Sequence, residues 1–310
     1  MIHETIFTVA TVLLFLFSNA TTQPTMATSV SPIDRQQTAM KPSARGGHCF
    51  VYDEQLRKVM LLDGYPLPAQ PKLGEVWAWD GKRWELIPGS GPAARFLGGA
   101  VYDSRRKKIV LYGGVGGSSS PDQPQPMYND TWEWDGKSWR QMTDISAGTR
   151  NHHAMAYGEA RGRNVLFGGA SSHTLPPESW EWASDTWEWD GMKWTPIATP
   201  GPSGRVHFAM ANDSKRKKVI LFGGRDKDEK RYNDTWAWDG KTWEKISNEG
   251  PPRSNHRMAF DRRAGVILLY GGDEGMTETS SGRRFIVRED MWQWDGKQSS
   301  PRALRPTGSL

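Results

Sequence analysis

Short apolar runs recur along the chain at wide, similar intervals, and each closes on a turn. Ile109-Val110-Leu111-Tyr112 before Gly113-Gly114 and Val219-Ile220-Leu221-Phe222 before Gly223-Gly224 are examples. Both faces of such a run are apolar, which predicts a strand covered on both sides. Before each run stands a segment that begins with Arg and alternates small with large residues, as in Ala154, Ala156 against His153, Met155 and Tyr157. After each run comes Trp-x-Trp, then Asp-Gly, then a further short strand. The period is two throughout, so each unit reads as four strands. The units start at Arg45, Arg95, Arg150, Arg205 and Arg253, with spacings of 50, 55, 55 and 48.

The Asp-Gly pair predicts a two-residue hairpin, because its central residues tolerate positive φ. With Asp135-Gly136 as the loop, Trp132 falls opposite Trp139. The same register sets Trp77 against Trp84, Trp187 against Trp194 and Trp236 against Trp243. Facing Trp pairs are packing devices.

Composition agrees with an all-β reading. With 33 Gly and 20 Pro, long helices are disfavoured, while 16 Trp supply enough apolar area for a packed chain. One Cys, Cys49, excludes an internal disulfide or a thiolate cluster. The formal charge of +5 is spread along the chain and lacks the density of a nucleic-acid binder.

The repeated Arg, Tyr-Asp, Gly-Gly and spaced Trp, from Arg45 to Lys297, resemble the kelch repeat, in the bacterial style of galactose-oxidase-like central domains. The resemblance implies a kelch-type β-propeller of about five four-stranded blades, set radially around a channel. Three features depart from the family's pattern. Leu62-Asp63-Gly64 replaces aromatic-Gly-Gly, Ser299 stands where a Trp is due, and five blades are fewer than the family usually has.

Ahead of the repeats, the apolar run Ile6 to Phe17, followed by Ser18-Asn19-Ala20, reads as a secretory signal over residues 1–20, so export to a periplasmic or extracellular space is expected. Residues 21–44 form an N-terminal segment, 45–297 the propeller and 298–310 a tail. Residues 30–37 are expected to supply the outer strand of the last blade, whose own fourth strand lacks its Trp.

Long gaps after Gly-Gly place the working loops on the face where each Arg lies. There Arg45, Arg95, Arg150, Arg205 and Arg253 would form either an anion-receptive ring or a set of intrablade ion pairs. His48, His153 and His256 fall on the large-residue side as packing histidines, whereas His152 and His207 fall nearer the mouth. The gap of the third repeat holds His173, Trp180 and Trp182; these two Trp are the ones the repeat leaves unexplained. Arg150, His152, Arg205, His207, Trp180, Trp182 and His173 are therefore the candidate ligand contacts. The basic turns such as Arg105-Arg106-Lys107-Lys108 lie on the opposite face and read as solvated turns.

No catalytic signature occurs, and no metal site or cofactor is expected. The sequence thus reads as a monomeric, exported module that binds a protein or glycan, without nucleic acid and without a membrane span. The alternative is a carbohydrate-active enzyme of the sialic acid mutarotase type. A copper oxidase is disfavoured because Cys49 lies inside a blade strand.

Overall fold

The computed structural model describes residues 41–66, 74–89, 91–117, 125–142, 146–171, 181–280 and 282–303. Within them the chain forms five four-stranded antiparallel sheets and no helix. Blade one consists of Cys49–Asp53, Lys58–Leu62, Val76–Trp79 and Trp84–Ile87. Blade two consists of Gly99–Asp103, Lys108–Val115, Met127–Trp134 and Trp139–Met142. In blade three the strands are Ala154–Gly158, Arg163–Phe167, Thr186–Trp189 and Trp194–Ile197. Blade four runs Ala209–Asp213, Lys218–Phe222, Thr235–Trp238 and Trp243–Ser247. Blade five runs Arg257–Asp261, Val266–Tyr270, Met291–Trp294 and Ser299–Arg302. First strands of successive blades pack against one another around the axis, which makes the molecule a β-propeller.

The register of the outer hairpins differs from the one the Asp-Gly pairs predict. Trp134 pairs with Trp139, and Trp132 faces Gln141; likewise Trp79 pairs with Trp84, Trp189 with Trp194 and Trp238 with Trp243. The cause is the Asp side chain. Asp135 Oδ1 accepts the N–H groups of Lys137 and Ser138 at 2.9 Å each, so the loop centres on Gly136-Lys137 rather than Asp135-Gly136. The paired rings lie 5.4 to 5.6 Å apart at tilts of 40 to 48°. In blades two to four they pack toward the preceding blade. Trp189 donates to Glu133 and Trp194 to Thr131 across the junction of blades two and three, as Trp238 does to Glu188 and Trp243 to Thr186 across the next. Blade one offers Val76 and Ala78 at the matching positions, so the indole N–H groups of Trp134 and Trp139 are buried without a partner.

Each repeat Arg joins its blade to the one before. Arg205 donates to both oxygens of Asp234 (2.6 and 3.1 Å) and to the Gly223 carbonyl (3.0 Å). The same carboxylate accepts the Trp236 indole N–H. Asp130 and Asp185 hold Arg95 and Arg150 through both oxygens in the same way, whereas Glu75 and Asp290 hold Arg45 and Arg253 through one contact each. The Arg carbonyl meanwhile accepts the N–H of the second Gly of the previous blade: Gly64 to Arg95, Gly114 to Arg150, Gly169 to Arg205 and Gly224 to Arg253, at 2.8 to 3.1 Å. Both glycines are needed. A Cβ on Gly223 would meet the Arg253 carbonyl at 2.6 Å, and one on Gly224 the Val206 carbonyl at 2.8 Å, and both have positive φ.

Blade one breaks this rule at Asp63, which stands in place of the first Gly with φ at 57°. The first Gly elsewhere faces the large third residue of the next repeat, as Gly113 faces His153 and Gly168 faces Phe208. The third residue of repeat two is Gly98, and its missing side chain leaves the room that Asp63 occupies. Burial pushes the Asp63 carboxyl up to about 7, against the opposing charges of Arg95 and Arg45.

The fifth junction is built differently. The Arg45 carbonyl accepts from His48 Nδ1 at 3.1 Å instead of from a glycine of blade five. The first strands of blades five and one do not pack as the other four pairs do. Arg257 and Ala259 on blade five are consequently exposed, and Trp79 and Trp84 on blade one are half-buried where Trp134, Trp189 and Trp238 are buried. Among the described residues the ring therefore has a seam. The outer position of blade five, expected for residues 30–37, is filled by Ser299–Arg302, so the propeller extends past 297. Residues 30–37 lie outside the described residues, as does the leader.

Three outcomes test this account. Trp134→Ala should lower the unfolding free energy by about 3 to 5 kcal/mol, and Trp132→Ala by under about 2 kcal/mol; equal losses in denaturant melts would overturn the observed register. Arg205→Lys, which cannot keep the two-pronged contact, should cost about 2 to 4 kcal/mol in the same assay. A carboxyl whose folded pKa is raised weakens the fold as pH climbs from its unfolded value toward the folded one. Asp63→Asn should accordingly raise the melting temperature at pH 8 and leave it unchanged at pH 4, and a fall at pH 8 would show that the carboxylate is needed.

Candidate functional site

The second residue of every repeat, Gly47, Leu97, His152, His207 and Asn255, has φ between 54 and 63°. This left-handed geometry costs a non-glycine residue about 1 kcal/mol. It is offset by a hydrogen bond from blade to blade around the mouth: Leu97 N–H to the Gly47 carbonyl, His152 to Leu97, and Asn255 to His207, at 2.7 to 3.0 Å. The side chains of these residues therefore gather at one end of the channel.

Two of the candidates meet there. The His152 and His207 rings lie 4.3 Å apart, edge to face, and His152 Nδ1 contacts the Asn151 side chain. Burial, then the nearby Arg225 charge, draws His152 down to about 3. His207 is lowered well below its usual value by burial, by His152 and by Arg225. Both rings are neutral at physiological pH. Arg225 also lies 5.6 Å over the ring of Trp182, which pairs through its backbone with Ala170. The structure thus groups His152, His207 and Trp182 with a residue the sequence reading did not select, Arg225. The signal was available in its position, one residue after Gly223-Gly224, which the isolated bridge to Val206 places beside the mouth.

Other candidates separate from this group. Arg45, Arg95, Arg150, Arg205 and Arg253 are buried and committed to their carboxylates, so they form no receptive ring, and Arg150 and Arg205 are not ligand contacts. Burial opposes the ionisation of Asp130, Asp185 and Asp234, yet the hydrogen bonds and charge of their arginines hold each below the usual carboxylate range. The acid two residues before the first Trp of each repeat was the readable sign of this pairing. His173 and Trp180 lie outside the described residues. His153 and His256 are buried edge-on against Tyr112 and Phe222, as packing residues. The Cys49 thiol donates to the Gly98 carbonyl at 3.3 Å, and burial pushes it up to about 12, so it is inert.

Arg257 is the second overlooked residue. At the fourth position of the repeat the other blades carry Cys49, Gly99, Ala154 and Ala209. Arg257 instead extends a guanidinium into the seam, where its one hydrogen bond among the described residues is to the His256 carbonyl. Protein walls around it draw its pKa below the usual arginine value even though the seam leaves it exposed. Burial and then Arg257 hold the His48 ring across the seam at about 4. Arg225 is itself paired with Glu229, so the mouth and the seam together present one guanidinium without a carboxylate partner among the described residues, that of Arg257, beside three neutral imidazoles and an indole. This set can bind an anionic group and stack an apolar ring face. Among the described residues no group of three or more His, Cys, Asp or Glu side chains converges as a metal site would require.

Comparison with solved structures finds the same fold in the one titled "Structure of YjhT", with a TM-score of 0.64 and 14% identity, over 84% of this chain and 85% of that one. No curated protein matches the chain. The family model described as the KLHDC2/KLHL20/DRC7 Kelch-repeats domain matches residues 151–309, just over half of the chain. With its five repeats folded as blades of one propeller, this chain belongs to the kelch-repeat family.

Proposed function

We propose that the chain is an exported binding propeller whose loop face takes an acidic group of a protein or glycan, with Arg257 as its anchor. The carrying observation is that Arg257 has no carboxylate partner among the described residues, although every repeat Arg has one. A guanidinium held in a partly desolvated seam binds a carboxylate or phosphate more strongly than one in water. The Arg225–Glu229 ion pair, with His152, His207 and Trp182, supplies a second, polar patch at the mouth for the remainder of such a ligand. The neutral imidazoles donate and accept hydrogen bonds there without adding charge. Export is supported by the apolar run Ile6 to Phe17.

The enzyme reading of the mutarotase type has one observation in its favour, the carboxyl of Asp63, whose pKa near 7 suits proton transfer. Against it, Asp63 is buried at the junction of blades one and two, away from the open surface.

A glycan and peptide array probed with the mature protein should select ligands bearing carboxylate, sulfate or phosphate. Arg257→Ala should weaken the selected ligand at least about tenfold, the loss of one charge-assisted contact, with an unchanged melting temperature. Selection of neutral ligands only, or full affinity in Arg257→Ala, would refute the anchor.

A further inference from the structure

The face opposite the mouth carries the turns between first and second strands and those between third and fourth strands. In the first set the aspartates turn inward. Asp53, Asp103 and Asp213 are buried and accept the N–H groups of Leu56, Arg106 and Arg216 through Oδ1 at 2.9 to 3.0 Å. The tips that remain outside are mostly cationic, with Glu54 the exposed acid among them. Arg57, Arg105, Lys107, Lys215, Lys217 and Arg263 are exposed and make no ion pair among the described residues. In the outer turns, Lys82, Lys137, Lys241 and Lys297 occupy equivalent exposed tips, each accompanied by the exposed Asp that opens its turn, so the cationic excess of this face comes from the inner turns.

Two details go beyond a solvated basic surface. The last tip residue of each inner turn has positive φ, and it is Gly162 and Gly265 in blades three and five but Arg57, Lys107 and Lys217 in the others. Glycine would relieve that conformation, so the three cations are kept against a local backbone preference. The second detail is Met192. It stands at the tip where the other outer turns have Lys, and it is 75% exposed, the most exposed of the large hydrophobic side chains among the described residues.

We propose that this turn face docks on a bilayer containing anionic phospholipids, with the Lys and Arg tips on the headgroup phosphates and Met192 inserted at the acyl boundary. The turns of all five blades end on one side of the ring, which makes the cationic array broad rather than a groove. That shape fits a planar surface. A soluble polyanion would satisfy the cations but offer nothing to the thioether of Met192, whereas a bilayer satisfies both. The proposal is independent of the acidic ligand assigned to the mouth.

The test is sedimentation of the mature protein, without residues 1–20, with vesicles of phosphatidylcholine alone and with about 30% phosphatidylserine, in parallel with retention on heparin. Binding should require phosphatidylserine and weaken with added salt. Each basic tip contributes roughly fivefold at an anionic surface. The double variant Lys107→Gly/Lys217→Gly should therefore lose at least about tenfold in vesicle affinity while its melting temperature rises. Met192→Ser should weaken vesicle binding and leave heparin retention unchanged. Equal binding to both vesicle types would overturn the proposal. So would vesicle affinity unaffected by Met192→Ser, which would mark the face as a site for soluble polyanions, or vesicle affinity unaffected by the double variant.

Discussion

The buried arginine that opens each repeat is the contact on which the propeller depends. In the first four repeats its guanidinium ties the start of the blade to the acid two residues before the first Trp and to the carbonyl of the residue that follows the apolar run. In repeats two to five its own carbonyl receives an N–H from the preceding blade. One residue thus settles both the internal order of a sheet and the position of its neighbour. A buried guanidinium needs its charge paired, because an unpaired buried charge costs several kcal/mol. Each of the five has a carboxylate, although Nε of Arg150 and Nε and Nη1 of Arg253 lack a hydrogen-bond partner among the described residues. The carboxylate is matched in turn by the indole N–H of the Trp two residues on. The glycines follow from the arginine, since only a residue without Cβ lets the two backbones approach closely enough for the staple.

Much of this was legible in the sequence. The repeat, the strand count, the all-β class and the sorting of His153 and His256 into the packed side followed from spacing and period two. The hairpin register did not. Asp-Gly is read as a two-residue loop from backbone preference alone, whereas the Asp side chain moves the loop by one residue and changes which Trp is buried. The role of the five arginines was readable only by pairing them with acids 29 to 37 residues away in sequence, a match that depends on strand order. Arg225 and Arg257 were hidden for a different reason. Each looks like one more surface cation until the left-handed second residues and the unsealed junction place them at the mouth and in the seam.

Asp63 and Gly98 illustrate how a repeat protein absorbs an exception. A side chain appears where the pattern needs none, and across the junction a side chain vanishes where the pattern has a ring. The gain and the loss lie across one junction, and an acid with a raised pKa is left beside Arg95 and Arg45. The seam is a larger exception of the same kind. By leaving the last junction unsealed, the fold frees Arg257 from the packing that its neighbours enforce at the equivalent position, and the ligand reading rests on that freedom.

The staple between blades has a direction. At four junctions the earlier blade gives the N–H of the glycine two residues past its apolar run and the later blade takes it on its arginine carbonyl, so the blades join head to tail like monomers of a polar filament bent into an arc. Such a rule is local and contains no number. It fixes how one repeat follows another and leaves the count of repeats to the length of the gene. A copy of one repeat inserted between any two others would find both its partners already in place, so growth or loss by whole units is the least disruptive change this architecture can undergo.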